Sequence, residues 1–516
     1  MIILRLLYRY YIVEDKQKDN LNPESERKLF DRIVKYTGVF GSVQGVSMLV
    51  SLVLTKFKSV LLGPEGYGIT ESLNRSADLI RSATNLGIAT VAIPEISRCT
   101  GSEESDALAE KVLMTRSWAL LTAIAGMVLC LFLAPLLSRW AFDGDRSFTA
   151  GFMALSLAVA ATAVTGGELA VLRGTGMLKQ IAMSQLISGL LSLIISVPLY
   201  WIFGIKAIVP VLVAIALGTM LVTLFYSNRR FGYRACPFNR SILAKGTGMI
   251  GFGIFLTVTA FLGAWAWSYI ARYLTGVGGA QLTGSYSAGY MLVTYLTTLL
   301  LAVNDSEYYP RLSAAGNNMA ESHNLMNNQA MAMCMLAAPV VIVFMLCLPA
   351  VVFVILEYDK FQDTILLAQM AVVGLYFKAV SQPIAYLVLA QSDSRIYILQ
   401  ETLCYILLVV CVVTGYRLFG IIGLGASFAV WELLYLVLVL MVSRVRYGYV
   451  MSVKLVKCFL TQGILVMLAV TCVCMGSRVW LIAGFLMCLA SVAVSLRFFS
   501  RHTSFLSSLL SKTKRH

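Results

Sequence analysis

Between Glu71 and Asn85 the chain places Glu71, Asn74, Arg75, Asp78, Arg81, Ser82 and Asn85 at recurrent spacings of three and four residues. On a helix that turns by about 100° per residue, Glu71, Asn74, Asp78, Arg81 and Asn85 fall within roughly 80° of one another. Arg75 and Ser82 widen this stripe to about 120°, while Leu73, Leu79, Ile80 and Val91 lie on other faces. A planar guanidinium can take two oxygens of a phosphate or carboxylate at once. Amides and hydroxyls beside it can bond to the hydroxyls of a sugar. Asp78 and Arg81 stand three apart and can also pair with each other. The stripe therefore reads as a cavity wall that holds an anion, or as a charge pair that fixes the helix among its neighbours.

The rest of the chain shows how unusual that stripe is. Of 516 residues, 59% are hydrophobic and 13% are charged, against roughly 25% charged in soluble domains. Apolar runs of about 20 residues recur, each long enough to cross a bilayer as a helix. They are continuous rather than alternating, which excludes a closed barrel. The expected fold is an all-α polytopic membrane protein of fourteen spans, centred near Leu49, Ala83, Ile124, Ala160, Leu190, Ala214, Val258, Val293, Val340, Val372, Leu408, Ala429, Met467 and Met487. The stripe occupies the second span, read as one helix through residues 71–91. A charge at membrane depth costs about 2.5–3.5 kcal/mol on insertion scales and so faces a bundle interior or a cavity.

Other polar groups join the candidates on the same ground. The first span carries Gln44, Ser47, Ser51, Thr55 and Lys58 at helical spacing, with Lys56 beside the stripe. Lys378 lies deep in the tenth span, five residues before Pro383, which should kink it. Arg81 and then Lys378 are the leading ligand contacts, with Asp78, Asn74, Asn85, Gln44, Lys56, Lys58 and Arg272 around them. Lys56 and Arg272 are placed near the outer ends, where snorkelling to the interface is the alternative. Glu168 and Glu401 are candidates for a coupling Na⁺ or H⁺, and Asp305 and Glu307 for gating. Trp265, Trp267, Tyr269 and Tyr273 read as an interfacial aromatic belt.

Lysine and arginine set the orientation. With the N-terminus inside, 29 of the 41 fall in inside segments and eight in outside loops, leaving Lys56, Lys58, Arg81 and Lys378 within spans. Both termini are therefore expected in the cytoplasm. The net charge of +15 is then explained by topology and anionic lipid and needs no nucleic acid. The opening MIILRLLYRYYI is too short to span and lacks a cleavage site; together with the polar segment up to residue 36 it reads as a cytoplasmic tail. The eleven cysteines are scattered and read as buried apolar residues.

An internal repeat runs at an offset of 216 residues: SNRRFGY at Ser227 returns as SRVRYGY at Ser443, and FGI at Phe203 returns at Phe419. Pro94-Glu-Ile-Ser97 maps onto Pro310-Arg-Leu-Ser313, Lys56 onto Arg272 and Gly63 onto Gly279. Six spans separate the mates, so the halves share one orientation, an arrangement found in transporters whose site lies between two bundles. The expected organisation is a tail (1–36), a six-helix bundle (37–228), a basic linker (229–245), a second six-helix bundle (246–443), two further spans (444–499) and a basic tail (500–516). The mates of Asn74, Asp78, Arg81 and Asn85 are Tyr290, Thr294, Thr297 and Leu301, so the second stripe lacks charge. That asymmetry suits a ligand anionic at one end only.

The stretch Lys58-Ser-Val-Leu-Leu-Gly-Pro-Glu-Gly-Tyr-Gly68, with Asn85-Leu-Gly-Ile88 and Leu172-Arg-Gly-Thr-Gly-Met-Leu-Lys179, resembles Wzx-type polysaccharide-unit flippases. These belong to the multidrug/oligosaccharidyl-lipid/polysaccharide (MOP) exporter superfamily, whose two-by-six architecture is V-shaped. The resemblance covers about residues 35–450. It implies an undecaprenyl-diphosphate-linked oligosaccharide moved across a bacterial inner membrane for O-antigen, capsule or exopolysaccharide synthesis, with a polysaccharide polymerase or chain-length regulator as neighbour. A cation-coupled multidrug antiporter and a lipid II flippase of the same superfamily are the alternatives; the basic lean of Lys56, Arg81, Arg272 and Lys378 favours an anionic cargo. An integral-membrane enzyme fits poorly, because no outside loop reaches 20 residues, only three histidines occur, and neither a GxxxxGK[ST] loop nor a metal-ligand cluster appears.

Overall fold

The computed structural model describes residues 23–502 apart from 101–104, 230, 231, 233, 236–238, 305–307, 316, 317, 392, 476 and 477. These residues are helical almost throughout. In chain order the helices are α1 (Pro23–Thr84), α2 (Ile88–Thr100), α3 (Ser105–Ala141), α4 (Thr149–Gly174), α5 (Leu178–Phe203), α6 (Ile208–Asn228) and the short α7 (Arg240–Lys245). Beyond them come α8 (Thr247–Val303), α9 (Tyr309–Ala315), α10 (Met319–Ile355), α11 (Gln362–Ala371), α12 (Val373–Ala390), α13 (Ser394–Tyr447), α14 (Val453–Met475) and α15 (Arg478–His502). Hydrocarbon offers the backbone no water, so each crossing segment must close its own hydrogen bonds, which a helix does. Eight described segments are long and apolar enough to cross a membrane, two of them (Lys179–Asn228 and Ser394–Tyr447) 50 and 54 residues long. The halves of α1 and α8 are the expected spans that this criterion leaves out. Phe132, Ile194, Trp201, Leu418 and Phe419 are each at least 70% exposed, as side chains that face lipid would be.

Four glycines shape the path, in two pairs of repeat mates. α1 turns at Gly63 (φ 64°, ψ −173°) and α8 at Gly279 (φ 68°, ψ −177°). Gly204 (φ 54°, ψ −133°) ends α5 and Gly420 (φ 59°, ψ −137°) bends α13. Positive φ at these ψ values is nearly closed to residues with a Cβ. The 216-residue repeat is thus written in backbone angles that agree within a few degrees.

Each half buries its own apolar core. One core joins Leu73, Cys130, Phe152 and Val211 from α1, α3, α4 and α6, and the other joins Ile270, Met345, Tyr376 and Val439 from α8, α10, α12 and α13. α14 and α15 pack on α10. The halves meet chiefly where α1 runs along α8.

Two sequence expectations change here. The stripe is not one helix: α1 ends at Thr84, Leu86 and Gly87 take φ values of 49° and 63°, and α2 begins at Ile88. Asn85 sits in that break, so it leaves the stripe. The halves come close at this break: a Cβ on Gly253 of α8 would lie 2.2 Å from the Leu86 carbonyl oxygen. Pro383 sits inside α12, while the interruption of that span falls earlier, at Val372.

At one end of the first bundle Arg116 of α3 is 1% and Glu168 of α4 is 2% exposed. Arg116 Nε and Nη2 donate to the two Glu168 oxygens at 2.8 and 2.9 Å. Nη2 also donates to Ser227 Oγ at 3.0 Å and Nη1 to the Gly232 carbonyl at 3.0 Å, and the Ser227 hydroxyl donates to Glu168. Glu168 thereby ties together α3, α4, α6 and the start of the linker. Removing one member of a buried ion pair costs about 3–5 kcal/mol, whereas replacing both by apolar groups of similar size is close to neutral. Glu168→Ala should therefore lower the thermal unfolding midpoint of the purified protein markedly, and Arg116→Met with Glu168→Leu should recover most of the loss. An unchanged midpoint in the single variant would remove the structural role.

Candidate functional site

The charged stripe divides between two environments. Arg75 Nε donates to Glu71 Oε1 at 2.7 Å, one turn back along α1. Its guanidinium lies 5.1 Å from the ring centroid of Trp267 on α8, a cation–π contact across the boundary between the halves. Asn74 and Arg81 point elsewhere, into a cavity of about 250 Å³ within the first bundle, with Leu155, Thr162, Thr165 and Thr219 of α4 and α6. Arg81 pairs with Asp78 at 2.5 Å, and its Nε is buried without a hydrogen-bond partner among the described residues. The pairing foreseen for Asp78 and Arg81 is present, and the group of the stripe that faces the other half is Arg75.

Lys378 stands at a second cavity, of about 210 Å³, between α12 and α13. Its Nζ donates to Glu432 Oε1 at 2.8 Å and lies 5.6 Å from the Trp431 ring centroid. Gln382, Tyr397, Gln400 and Glu401 line the same space. There Gln400 donates to the Tyr435 hydroxyl at 3.1 Å, and Tyr435 donates to Glu401 Oε1 at 3.2 Å. Glu401 makes no ion pair among the described residues.

An aromatic wall joins the two charged groups. From the ring under Arg75, Trp267 reaches Tyr290 at 4.4 Å between centroids, Tyr290 reaches Phe428 at 4.9 Å, and Phe428 reaches Trp431 at 6.1 Å. Trp267 thus faces inward and leaves the expected belt, whereas Trp265 is 38% exposed and stacks on Tyr269.

The remaining candidates lie apart from this wall. Lys58 Nζ sits 4.0 Å from the Tyr67 ring centroid. Lys56 reaches the end of α10, and Arg272 covers Trp140 of α3, so neither opens onto the two cavities. Gln44 is on α1, outside the residues whose side chains are described, and Asp305 and Glu307 lie outside the described residues altogether.

Sequence reasoning overlooked Glu432, Arg116 and the ranking of Arg75. Glu432 had a visible signal, a carboxylate three residues from the centre of the twelfth span. Its discovery changes the electrostatics: Arg75, Arg81 and Lys378 each hold a carboxylate, so the basic lean inferred from the cations alone is offset. Among the described residues no group of three or more His, Cys, Asp or Glu could hold a metal ion.

Compared with known proteins, residues 59–366 match the family model described as Polysaccharide biosynthesis protein. The fold is similar to the inward-facing conformation of a multidrug resistance MATE family transporter of the MOP superfamily, with a TM-score of 0.64 and 15% identity over 80% of this chain and 96% of that one. It is similar to the lipid II flippase MurJ in an inward closed conformation, with a TM-score of 0.65 and 13% identity over 91% of this chain and 99% of that one. A MOP superfamily transporter from Pyrococcus furiosus, described as having a binding pocket of reversed polarity, aligns with a TM-score of 0.58 and 14% identity over 81% and 95% of the two chains. No match is found among curated proteins. At these identities the structural likeness carries the fold, and the family model, which spans more than half of the 516 residues, carries membership: the chain belongs to the polysaccharide biosynthesis protein family and has the architecture of a MOP superfamily transporter.

Proposed function

We propose that this protein is a flippase for an oligosaccharide carried on undecaprenyl diphosphate, moved from the inner to the outer face of a bacterial inner membrane, with both termini in the cytoplasm. The observation that carries the proposal is the pairing of Arg75 from one half with Lys378 from the other along the wall of Trp267, Tyr290, Phe428 and Trp431. Each cation is held by a carboxylate, Glu71 or Glu432, whose place a phosphate oxygen can take with similar geometry. Trp267 and Tyr290, both partly exposed, offer faces suited to sugar rings, with Phe428 packed behind them in the core, and the polyprenyl tail stays in lipid. Family membership supports a cargo of polysaccharide assembly, and the fold supports rocking of one half against the other around the site. A polysaccharide polymerase or a chain-length regulator on the outer face is the expected neighbour.

Coupling falls to Glu401, which has the Tyr435 hydroxyl as partner and opens onto the Lys378 cavity. It would take up H⁺ or Na⁺ as the cargo leaves. Movement of charge through the membrane potential, at about 2.3 kcal/mol per charge per 100 mV, is the alternative drive. The carboxylates at this cavity are also what a cationic drug would need, so the antiporter reading stays as the rival. The two readings separate in a strain that lacks the protein: accumulation of lipid-linked saccharide on the inner face supports the flippase, and drug sensitivity with normal surface glycan supports the antiporter.

Loss of a charge-assisted contact of about 1.5–3 kcal/mol corresponds to roughly a ten- to hundredfold effect. The double variants Lys378→Gln, Glu432→Gln and Glu71→Gln, Arg75→Gln should reduce surface glycan export by that order at unchanged membrane abundance, with Arg81→Ala less severe. Each double variant removes both charges together and leaves no buried carboxylate alone; export at the normal level in the second would sink the assignment of Arg75. Replacing Glu401 by Gln should make transport in vesicles insensitive to an imposed proton or sodium gradient, and an unaltered gradient response would take Glu401 out of the coupling.

A further inference from the structure

Away from both cavities, the halves are fastened to each other by a reciprocal pair of cationic contacts. Lys56 of α1 sends its Nζ to the carbonyls of Phe353 at 3.0 Å and Leu356 at 2.5 Å, in and just past the last turn of α10. Carbonyls at a helix C-terminus lack partners within their own helix and carry the negative end of its dipole, so an ammonium satisfies them in both respects. The repeat mate of Lys56 is Arg272, and the repeat mate of Leu356 is Trp140, in the last turn of α3. Arg272 lies 4.3 Å from the Trp140 ring centroid, and the indole N–H of Trp140 donates to Ser268 Oγ at 3.1 Å. Each half therefore reaches from its first span to the end of the other half's third span.

Between these contacts the backbones approach closely, again reciprocally. A Cβ on Gly68 would lie 1.8 Å from the Ala280 carbonyl oxygen, and one on Gly284 would lie 1.8 Å from the Pro64 carbonyl oxygen. Gly68 and Gly284 are repeat mates, as are Pro64 and Ala280. Thr275 shares hydrogen bonds with Thr283 at 2.9 Å and with Ser72 at 3.4 Å. Such a contact without intervening side chains can be either made or broken, with little room for intermediate separations.

We infer that Lys56 and Arg272 are paired latches that hold this end of the molecule shut, and that their release is the step that opens it. The two residues then set the balance between the two faces of the transport cycle and bind no cargo. The inference rests on the two-faced cycle proposed above. The distribution of lysine and arginine puts this end on the outer face, so the latches hold the inward-open state. They differ in kind: Lys56 leaves two carbonyls without partners when it lets go, whereas Arg272 leaves a ring face. The outer gate is thus expected to depend more on Lys56.

Hydrogen exchange of the full chain in lipid nanodiscs, without cargo, tests this independently of the cargo's identity. Lys56→Met should speed exchange in the segments 59–72 and 276–290, on the order of fivefold for a loss of about 1 kcal/mol, and Arg272→Met should speed it in the same segments by less. Lys56→Arg should restore the normal rate, and Gly68→Ala, which touches neither cation, should reproduce the faster one. Exchange around Arg116 and Glu168 should not change in any of them. Normal rates in 59–72 and 276–290 in both methionine variants, or an equal rise over the whole chain, would overturn the latch. Because no cargo is present, loss of the flippase reading alone would leave this result standing.

Discussion

Charge is tolerated in hydrocarbon only when each charge finds a partner, and the interior of this protein is organised around that requirement. Arg75 turns to Glu71, Arg81 to Asp78, Lys378 to Glu432 and Arg116 to Glu168. Desolvation weakens both members of such a pair and their mutual attraction offsets the loss only at close range, which is why all four lie within 2.9 Å. What separates them is access. Arg116 and Glu168 are sealed on every side and serve as structure, whereas Lys378 remains 34% exposed on its cavity. A pair that is satisfied yet reachable from a cavity can exchange partners, which a sealed pair cannot do without unpacking the helices around it.

The second organising element is duplication with later divergence. The backbone keeps the duplication where only glycine is tolerated, at Gly63 with Gly279 and Gly204 with Gly420, and at the touching pair Gly68 and Gly284. Side chains diverge where the halves do different work. The first half holds its cation on α1, facing Trp267; the second holds its own on α12, facing Glu432. Even the matched cations Lys56 and Arg272 have changed partners, from backbone carbonyls to an indole face. A symmetric scaffold with an asymmetric interior can hold a ligand whose two ends differ in charge.

Much of this is legible in the residues. Continuous apolar runs announce membrane helices, because the backbone has no other way to satisfy itself in lipid. The constant offset discloses the two bundles, and the motif ending at Gly68 carries the resemblance that family membership bears out. Lys378 stands out as a deep cation, and the structure places it at a cavity. Less is legible about neighbours. A stripe of about 120° on one helix spans the reach of two different packing partners, so periodicity groups Arg75 with Arg81 but does not tell which faces the other half. The helix drawn from periodicity is also too long: it breaks at residues 85–87, where a distant segment approaches through Gly253. Trp267 reads as interfacial from its place among aromatics, and only the packing of α1 on α8 turns it inward.

By itself, then, the sequence determined the properties that depend on one segment at a time or on two segments compared: membrane class, helical spans, duplication and the glycines that must bend. Hydropathy and backbone sterics act locally, so they can be read locally. Only the tertiary structure decided which charges meet across different segments. Glu432 reaches Lys378 across 54 positions and Glu168 reaches Arg116 across 52, and Lys56 reaches the end of α10 at Leu356 across 300. Those pairings depend on the relative rotation of packed helices, where a shift of one residue, about 100°, exchanges one partner for another.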